Sequence, residues 1–201
     1  MPKRVDHAER RAQLAEALMR IAAERGFEAV SLRHVGAEAG VTSGMVQHYF
    51  RSKDELMSFA LEVVTERAHA RATAAVGEAG SVREEVRALL TALLPLDEAR
   101  RVEGRVVLAF MSYSTGRPEL AEVLRQNTVA MREHFAGQIA RVWAGENRLG
   151  MEPLQAATGL VALVEGLGVH VLGEHYAQEE ALAVLDAHLE LLLGQSMRRS
   201  G

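Results

Sequence analysis

Apolar residues recur three and four positions apart along almost the whole chain, and no stretch alternates as a strand would. The pattern predicts helices throughout. Leu14, Leu18, Ile21 and Ala22 form one stripe that Gly26 stops. Ser31 caps a short helix with Leu32 and Val35 inward, and Gly40 ends it. Thr42 or Ser43 caps a third helix whose apolar positions are Val46 and Phe50. Ser52-Lys53-Asp54-Glu55 reads as a capping box and opens a long helix running to about residue 75. Gly77 and Gly80 break that helix, and Ser81-Val82-Arg83-Glu84 is a second box whose helix ends near Pro95. Asp97 caps the next, where Val102, Val106, Ala109, Phe110 and Tyr113 share a face. Pro118 and Pro153 suit the first turns of two further helices, and a ninth follows Tyr176. The expected fold class is all-α, with about nine helices. Three short ones precede residue 52 and longer ones follow, which suggests segments 1–52 and 53–201.

Composition changes this picture little. The 201 residues are 48% hydrophobic, a globular value, and can bury a sizeable core. The sequence shows no run of about 18 apolar residues, so no membrane helix and no membrane partner are expected. The start, MPKRVDHAERR, lacks an apolar leader, and there is no cysteine, which together fit a cytoplasmic protein. The net charge is −4, yet residues 1–56 carry nine Lys/Arg against eight Asp/Glu. That balance permits a nucleic-acid partner without requiring one.

The stretch GVTSGMVQHYF, residues 40–50, carries the chemistry. A short helix after a glycine turn is the second half of a helix-turn-helix, with SLRHVGAEAG as the first half. Val35, Val41, Val46 and Phe50 hold the pair from inside, which turns Ser43, Gly44, Gln47 and His48 outward. A major groove admits one helix; Gln pairs with adenine and Ser with either kind of base edge. Gly44 lets backbone approach closely. Tyr49 and Lys53 flank this face and suit phosphate oxygens, as do the helix N-termini after Ser31 and Ser52. The alternative is a small helical bundle whose polar residues are merely solvated.

Residues 31–56, SLRHVGAEAGVTSGMVQHYFRSKDEL, resemble the DNA-binding signature of TetR-family transcriptional regulators, and the resemblance extends over 10–56. LLPLDEARRVEGRVVLAF and RPELAEVLR resemble the C-terminal domain of the BetI-type subgroup. The resemblance implies a homodimer whose first three helices bind double-stranded DNA at a palindromic operator. The remaining helices would bind a small-molecule effector and dimerise. It places Ser43, Gly44, Gln47 and His48 on bases, and Ser31, Thr42, Tyr49 and Lys53 at phosphate. Gln47 stands where the family often has an aromatic. The subgroup suggests a small amine or choline-like effector, for which Glu165 is a candidate carboxylate.

Phe59, Val63, Phe110, Tyr113, Met131, His134, Phe135 and Trp143 are candidate effector-pocket residues, being mostly apolar with a few polar groups. The same set also describes a helical core. Leu160, Val164, Leu167 and Val171 recur at helical spacing near Gly159, Gly166 and Gly168; Leu182, Leu185, Leu189 and Leu192 form a second seam. Two such helices from each subunit would make a four-helix dimer interface, including Gly168 at the close approach. The same stripes would equally serve the chain's own core. No GxSxG nucleophile turn and no GxxxxGK[ST] phosphate loop occurs, and His170 and His175 lie five apart, off a shared helix face. Neither an enzyme, nor a cofactor, nor a metal site is expected.

Overall fold

The computed structural model describes residues 7–77, 79–144 and 150–194. Among them are nine α-helices and no strand: α1 (His7–Arg25), α2 (Leu32–Glu38), α3 (Ser43–Tyr49), α4 (Lys53–Val76), α5 (Val82–Thr91), α6 (Glu98–Ser114), α7 (Pro118–Trp143), α8 (Pro153–Leu172) and α9 (Gln178–Leu193). A single 3-10 turn, Phe27–Ala29, joins α1 to α2. The first residues of the chain, read above for a leader, lie outside the described part.

The helix boundaries follow local chemistry. Gly26 and Gly40 adopt the left-handed region, φ +75° and +68°, where a side chain would be strained. The Oγ of Ser31 accepts from the His34 N–H at 3.2 Å, and Thr42, not Ser43, caps α3 by accepting from Met45 N–H at 3.2 Å. Asp97 accepts from Arg100 N–H at 2.8 Å. Both predicted capping boxes form in a lengthened version. Ser52 accepts from Glu55 N–H while Glu55 accepts from Arg51 N–H, one residue before the cap. Ser81 and Glu84 repeat this, with Gly80 N–H as the second donor. Glu152, ahead of the predicted Pro153, caps α8, and its N–H donates to Gln155.

The described chain packs as two compact units, the first up to Arg67 together with Asp97–Ala121, the second Ala68–Leu96 and onward from Glu122. This division cuts the chain elsewhere than residue 52 because α6 lies on α1. In the first unit Leu14, Leu18, Ile21, Val35, Val46, Phe50, Val106 and Phe110 are buried. Removing each such side chain from water stabilises the fold by about 1.5–3 kcal/mol. Charged groups lash the same helices together. The Arg11 guanidinium of α1 lies 4.7 Å from the Phe50 ring and 4.4 Å from the Phe59 ring of α4. Arg67 of α4 pairs with Glu16 of α1 and, at 3.8 Å, with the buried Glu103 of α6.

In the second unit one apolar cluster joins α5, α7, α8 and α9 and includes Leu90, Ile139, Trp143, Leu160, Val164 and Leu185. The Trp143 indole donates to Leu192 O at 2.8 Å, so the buried ring leaves no unsatisfied N–H. Arg87 grips Asp186 with two bonds, 2.5 and 2.9 Å, which pushes the guanidinium pKa up.

Two sequence expectations change here. The stripes assigned to a dimer interface belong largely to the chain's own core. Leu160, Val164, Leu167, Val171, Leu185 and Leu189 are buried within the single chain, and Leu182 and Leu192 pack at the cluster's edge. Gly168 faces Pro95, whose Cδ lies 3.8 Å from where a Cβ would sit. The reason is that α8 is apolar on both sides, and spacing alone does not say which side turns inward. For the same reason α8 is, by length and composition, apolar enough to cross a membrane, against the expectation of no such helix. Gln155, Glu165 and His170 interrupt its run but are too few to take it below that measure, which the core helix of a soluble protein also meets. His170 and His175, five apart, also meet, Nδ1 to Nδ1 at 3.0 Å. They share no helix face; the turn at Glu174, φ +59°, folds the second ring back onto the first. No cluster of three or more His, Cys, Asp or Glu suited to a metal occurs among the described residues.

Candidate nucleic-acid interface

The two short helices α2 and α3 are held at backbone contact. Val41 N–H donates to Gly36 O at 2.8 Å across the turn. A Cβ at Gly36 would lie 3.0 Å from Val41 O, 3.3 Å from Ser43 N and 3.3 Å from the Thr42 carbonyl carbon. All three are backbone atoms, so no rotamer change relieves them. Gly36 therefore sets how closely the second helix approaches the first, a role the sequence reading missed. Val35, Val46 and Phe50 then close the inner side, all with no exposed surface.

What remains outside is the predicted face. Ser43, Gly44, Gln47 and His48 are all exposed on α3, at positions that one side of a helix shares. A Cβ at Gly44 would meet nothing nearer than Thr42 Oγ1 at 3.9 Å, so the fold itself leaves that spot open. An α-helix with its side chains is about 10–12 Å across, which matches the roughly 12 Å width of a major groove. Met45, 44% exposed, lies on the same helix and was not foreseen.

The predicted phosphate set divides. Ser31 and Thr42 use their oxygens to accept from their own helices, which leaves each hydroxyl hydrogen to donate outward. Tyr49 is half-buried, its ring 4.8 Å from that of His7 and edge-on to His48 at 5.2 Å. Lys53 is also half-buried, with its ammonium 5.2 Å from the centre of the Tyr113 ring. Burial pushes its pKa down, Glu28 pulls it back up, and Arg117 adds to the lowering. Arg33 at the start of α2 and Arg51 after α3 are exposed cations on the same motif, and the His34 ring is exposed beside Arg33; the sequence reading passed over all three. Their signal was present: each flanks a named residue.

The effector-pocket candidates are not gathered by either unit. Phe110 is fully buried, Phe59 stacks at 5.4 Å on Phe50, and Val63 is half-buried, all in the first unit. Tyr113 donates its hydroxyl to Asp54 at 2.6 Å rather than toward a cavity. In the second unit Phe135 and Trp143 are core, Met131 packs on that core, and His134 is exposed. Glu165 lies on the exposed side of α8, where partial burial still pushes its carboxyl above the ordinary value. A groove of about 480 Å³ does exist on the surface of α8 and α9. It is lined by Ala162, Gly166, Leu167, His170, Tyr176 and Val184 among others, and by none of the pocket candidates.

Residues 14–58 match the pattern of "Bacterial regulatory proteins, tetR family", and residues 82–194 match "BetI-type transcriptional repressor, C-terminal". The chain is 32% identical over 176 residues to the HTH-type transcriptional regulator PksA of Bacillus subtilis, covering 86% of this chain and 83% of that protein. It is 29% identical over 198 residues to the HTH-type transcriptional regulator BetI of Burkholderia mallei, covering 96% and 98%. A transcriptional regulator from Rhodococcus sp. Rha1 superposes with a TM-score of 0.80 at 34% identity, covering 91% of this chain and 95% of that one. The fold is shared too by a Saccharomonospora viridis regulator solved in complex with choline, TM-score 0.81 at 24% identity, covering 91% and 96%.

Proposed function

This chain belongs to the TetR family of bacterial regulatory proteins, and from that premise we propose a homodimeric repressor that binds a palindromic operator and is released by a small-molecule effector. In this reading residues 1–52 bind DNA and 53–201 bind effector and dimerise, in the cytoplasm. The observation that carries it is the outward face of α3, with Ser43, Gly44, Gln47 and His48 exposed on a helix seated against α2 at Gly36. Gln47 reads a base, Ser43 and His48 reach adjacent edges, and Gly44 lets the helix backbone sit deep. Ser31, Thr42, Tyr49 and Lys53, with Arg33 and Arg51 beside them, take phosphate and set position rather than sequence.

A second observation supports the dimer. A helix face rich in apolar residues is usually a covered one. One side of α8 is covered by its own core; the other presents Leu154, Thr158, Gly159, Ala162, Gly166 and Val169 to solvent, with Glu165 as the charge among them. Val184, Ala187 and Leu191 continue this surface on α9, Leu191 being 64% exposed. The interface is this outer face, not the inward stripes. Gly159 and Gly166 have open space where a Cβ would stand, which suits close approach of the partner's helix. Two-fold symmetry then sets the recognition helices on half-sites roughly 34–36 Å, or a multiple, apart.

The effector is a small molecule, and the choline bound by the Saccharomonospora relative makes a compact organic cation the first to try. It acts by binding one setting of the two recognition helices better than another. A full switch needs about 5.5 kcal/mol of differential affinity.

The test is binding to labelled duplex over a range of salt. Lys53→Ala should weaken binding to every sequence alike, while Gln47→Ala should change which sequence is preferred. A Gln47→Ala protein that keeps the wild-type preference undiminished overturns the base-reading assignment. Duplex affinity indifferent to salt overturns DNA binding itself.

A further inference from the structure

The first turn of α4 and the last turn of α6 meet through Tyr113. Its hydroxyl donates to Asp54 Oδ1 at 2.6 Å. Its ring carries two cations, the Lys53 ammonium at 5.2 Å and the Arg117 guanidinium at 3.8 Å. Arg117 in turn donates to the backbone carbonyl of Tyr113 at 2.6 Å, which holds the guanidinium at the end of α6. Burial and the bond to Asp54 both raise the phenol pKa, so the hydroxyl stays protonated and donating at any physiological pH.

We propose that Tyr113 is a positioning residue for DNA binding: its ring seats Lys53 toward phosphate, and its hydroxyl holds the Asp54 carboxylate off the first backbone N–H groups of α4. The inference rests on the reading of Lys53 and the α4 N-terminus as phosphate contacts. A carboxylate in the first turn of a helix is drawn to the unpaired N–H groups and the positive dipole end there. A backbone phosphate would use those same groups. Asp54 is therefore a built-in competitor one residue from the phosphate-seeking lysine, and the phenol hydroxyl restrains it. Phenylalanine at this position would keep the ring and release the carboxylate. Leucine would do both kinds of damage.

The test is the salt dependence of operator binding by the full-length protein, measured by fluorescence anisotropy on a duplex selected with the wild type. Losing one phosphate contact lowers the magnitude of the slope of log K against log salt by about 0.9. Lys53→Ala should show that loss, and Tyr113→Leu should match it. Tyr113→Phe should weaken binding about two- to fivefold, the scale of a charge at a helix end. Asp54→Asn introduced into Tyr113→Phe should restore wild-type affinity, because a neutral amide no longer competes. The same Asp54→Asn change should not rescue Tyr113→Leu. Unchanged binding by Tyr113→Phe, or a Tyr113→Phe loss that Asp54→Asn does not repair, overturns the latch while leaving Lys53 at phosphate. An unchanged slope in Lys53→Ala overturns the phosphate reading and the latch together. Thermal unfolding of each variant excludes a loss that merely reports misfolding.

Discussion

Replacing Gly36 with alanine is a sharp probe of how the recognition helix is held. The backbone at Gly36 is helical, so alanine there brings the ordinary propensity gain of about 1 kcal/mol. Against that stands a Cβ placed 3.0 Å from Val41 O, with Ser43 N and the Thr42 carbonyl carbon both at 3.3 Å. An ordinary contact starts near 3.4 Å, so α3 must move off α2 by a few tenths of an ångström. Overpacking of this kind costs about 1–3 kcal/mol. Gly137 in α7 is the matched control, since a Cβ there meets nothing within 4 Å. Gly137→Ala should stabilise by about 1 kcal/mol, which for a chain of this size raises Tm by about 2–4 °C. Gly36→Ala should melt below Gly137→Ala by the whole cost of the clash, about 1–3 kcal/mol, and should bind operator more weakly because α3 no longer sits in register. Differential scanning calorimetry and duplex anisotropy read the two effects. If Gly36→Ala melts with Gly137→Ala and binds operator like the wild type, the backbone contact does not set the recognition helix.

The remaining tests separate the other surfaces. Gly44→Ala should fold as well as the wild type yet lose operator affinity in anisotropy, because only DNA would meet the new methyl; unchanged affinity refutes close backbone approach there. Val169→Glu with Leu191→Glu places charge on exposed apolar positions and should turn a dimer into a folded monomer in sedimentation; a persisting dimer refutes the outer α8–α9 face. Leu160→Ala, by contrast, should cost about 2–5 kcal/mol of stability in denaturant melts, as a core deletion does. Because Glu165 has a raised carboxyl pKa, the folded chain holds that proton more tightly than the unfolded chain. Its contribution to stability is thus present below the unfolded value and is lost as pH rises through the folded one. Glu165→Gln should then be relatively more stable at neutral pH than at pH 4, read as Tm against pH; a constant offset refutes the assignment.

The parts of the fold that were legible in the sequence are those governed by neighbours. Ser31, Thr42, Ser52, Ser81 and Asp97 each cap the helix that follows, and Gly26 and Gly40 each supply the left-handed turn. The outward residues of α3 followed from the inward ones, since Val46 and Phe50 leave one side only. What was not legible depends on approach between distant segments. Gly36 looks like any helical glycine until α3 is laid against it. Tyr113 looks like a pocket aromatic until its hydroxyl meets Asp54, 59 positions away. The stripes of α8 are ambiguous in the sequence because Leu160 and Val169 are equally apolar, and spacing cannot say which side of a helix its own chain covers.

The most direct measurement is selection of bound duplexes from a random pool with the purified protein. The account predicts an enriched palindrome whose half-sites are spaced by a helical turn or a multiple of it, and whose composition shifts when Gln47 is replaced. Enrichment of no sequence, or of a single unrepeated site, would contradict it.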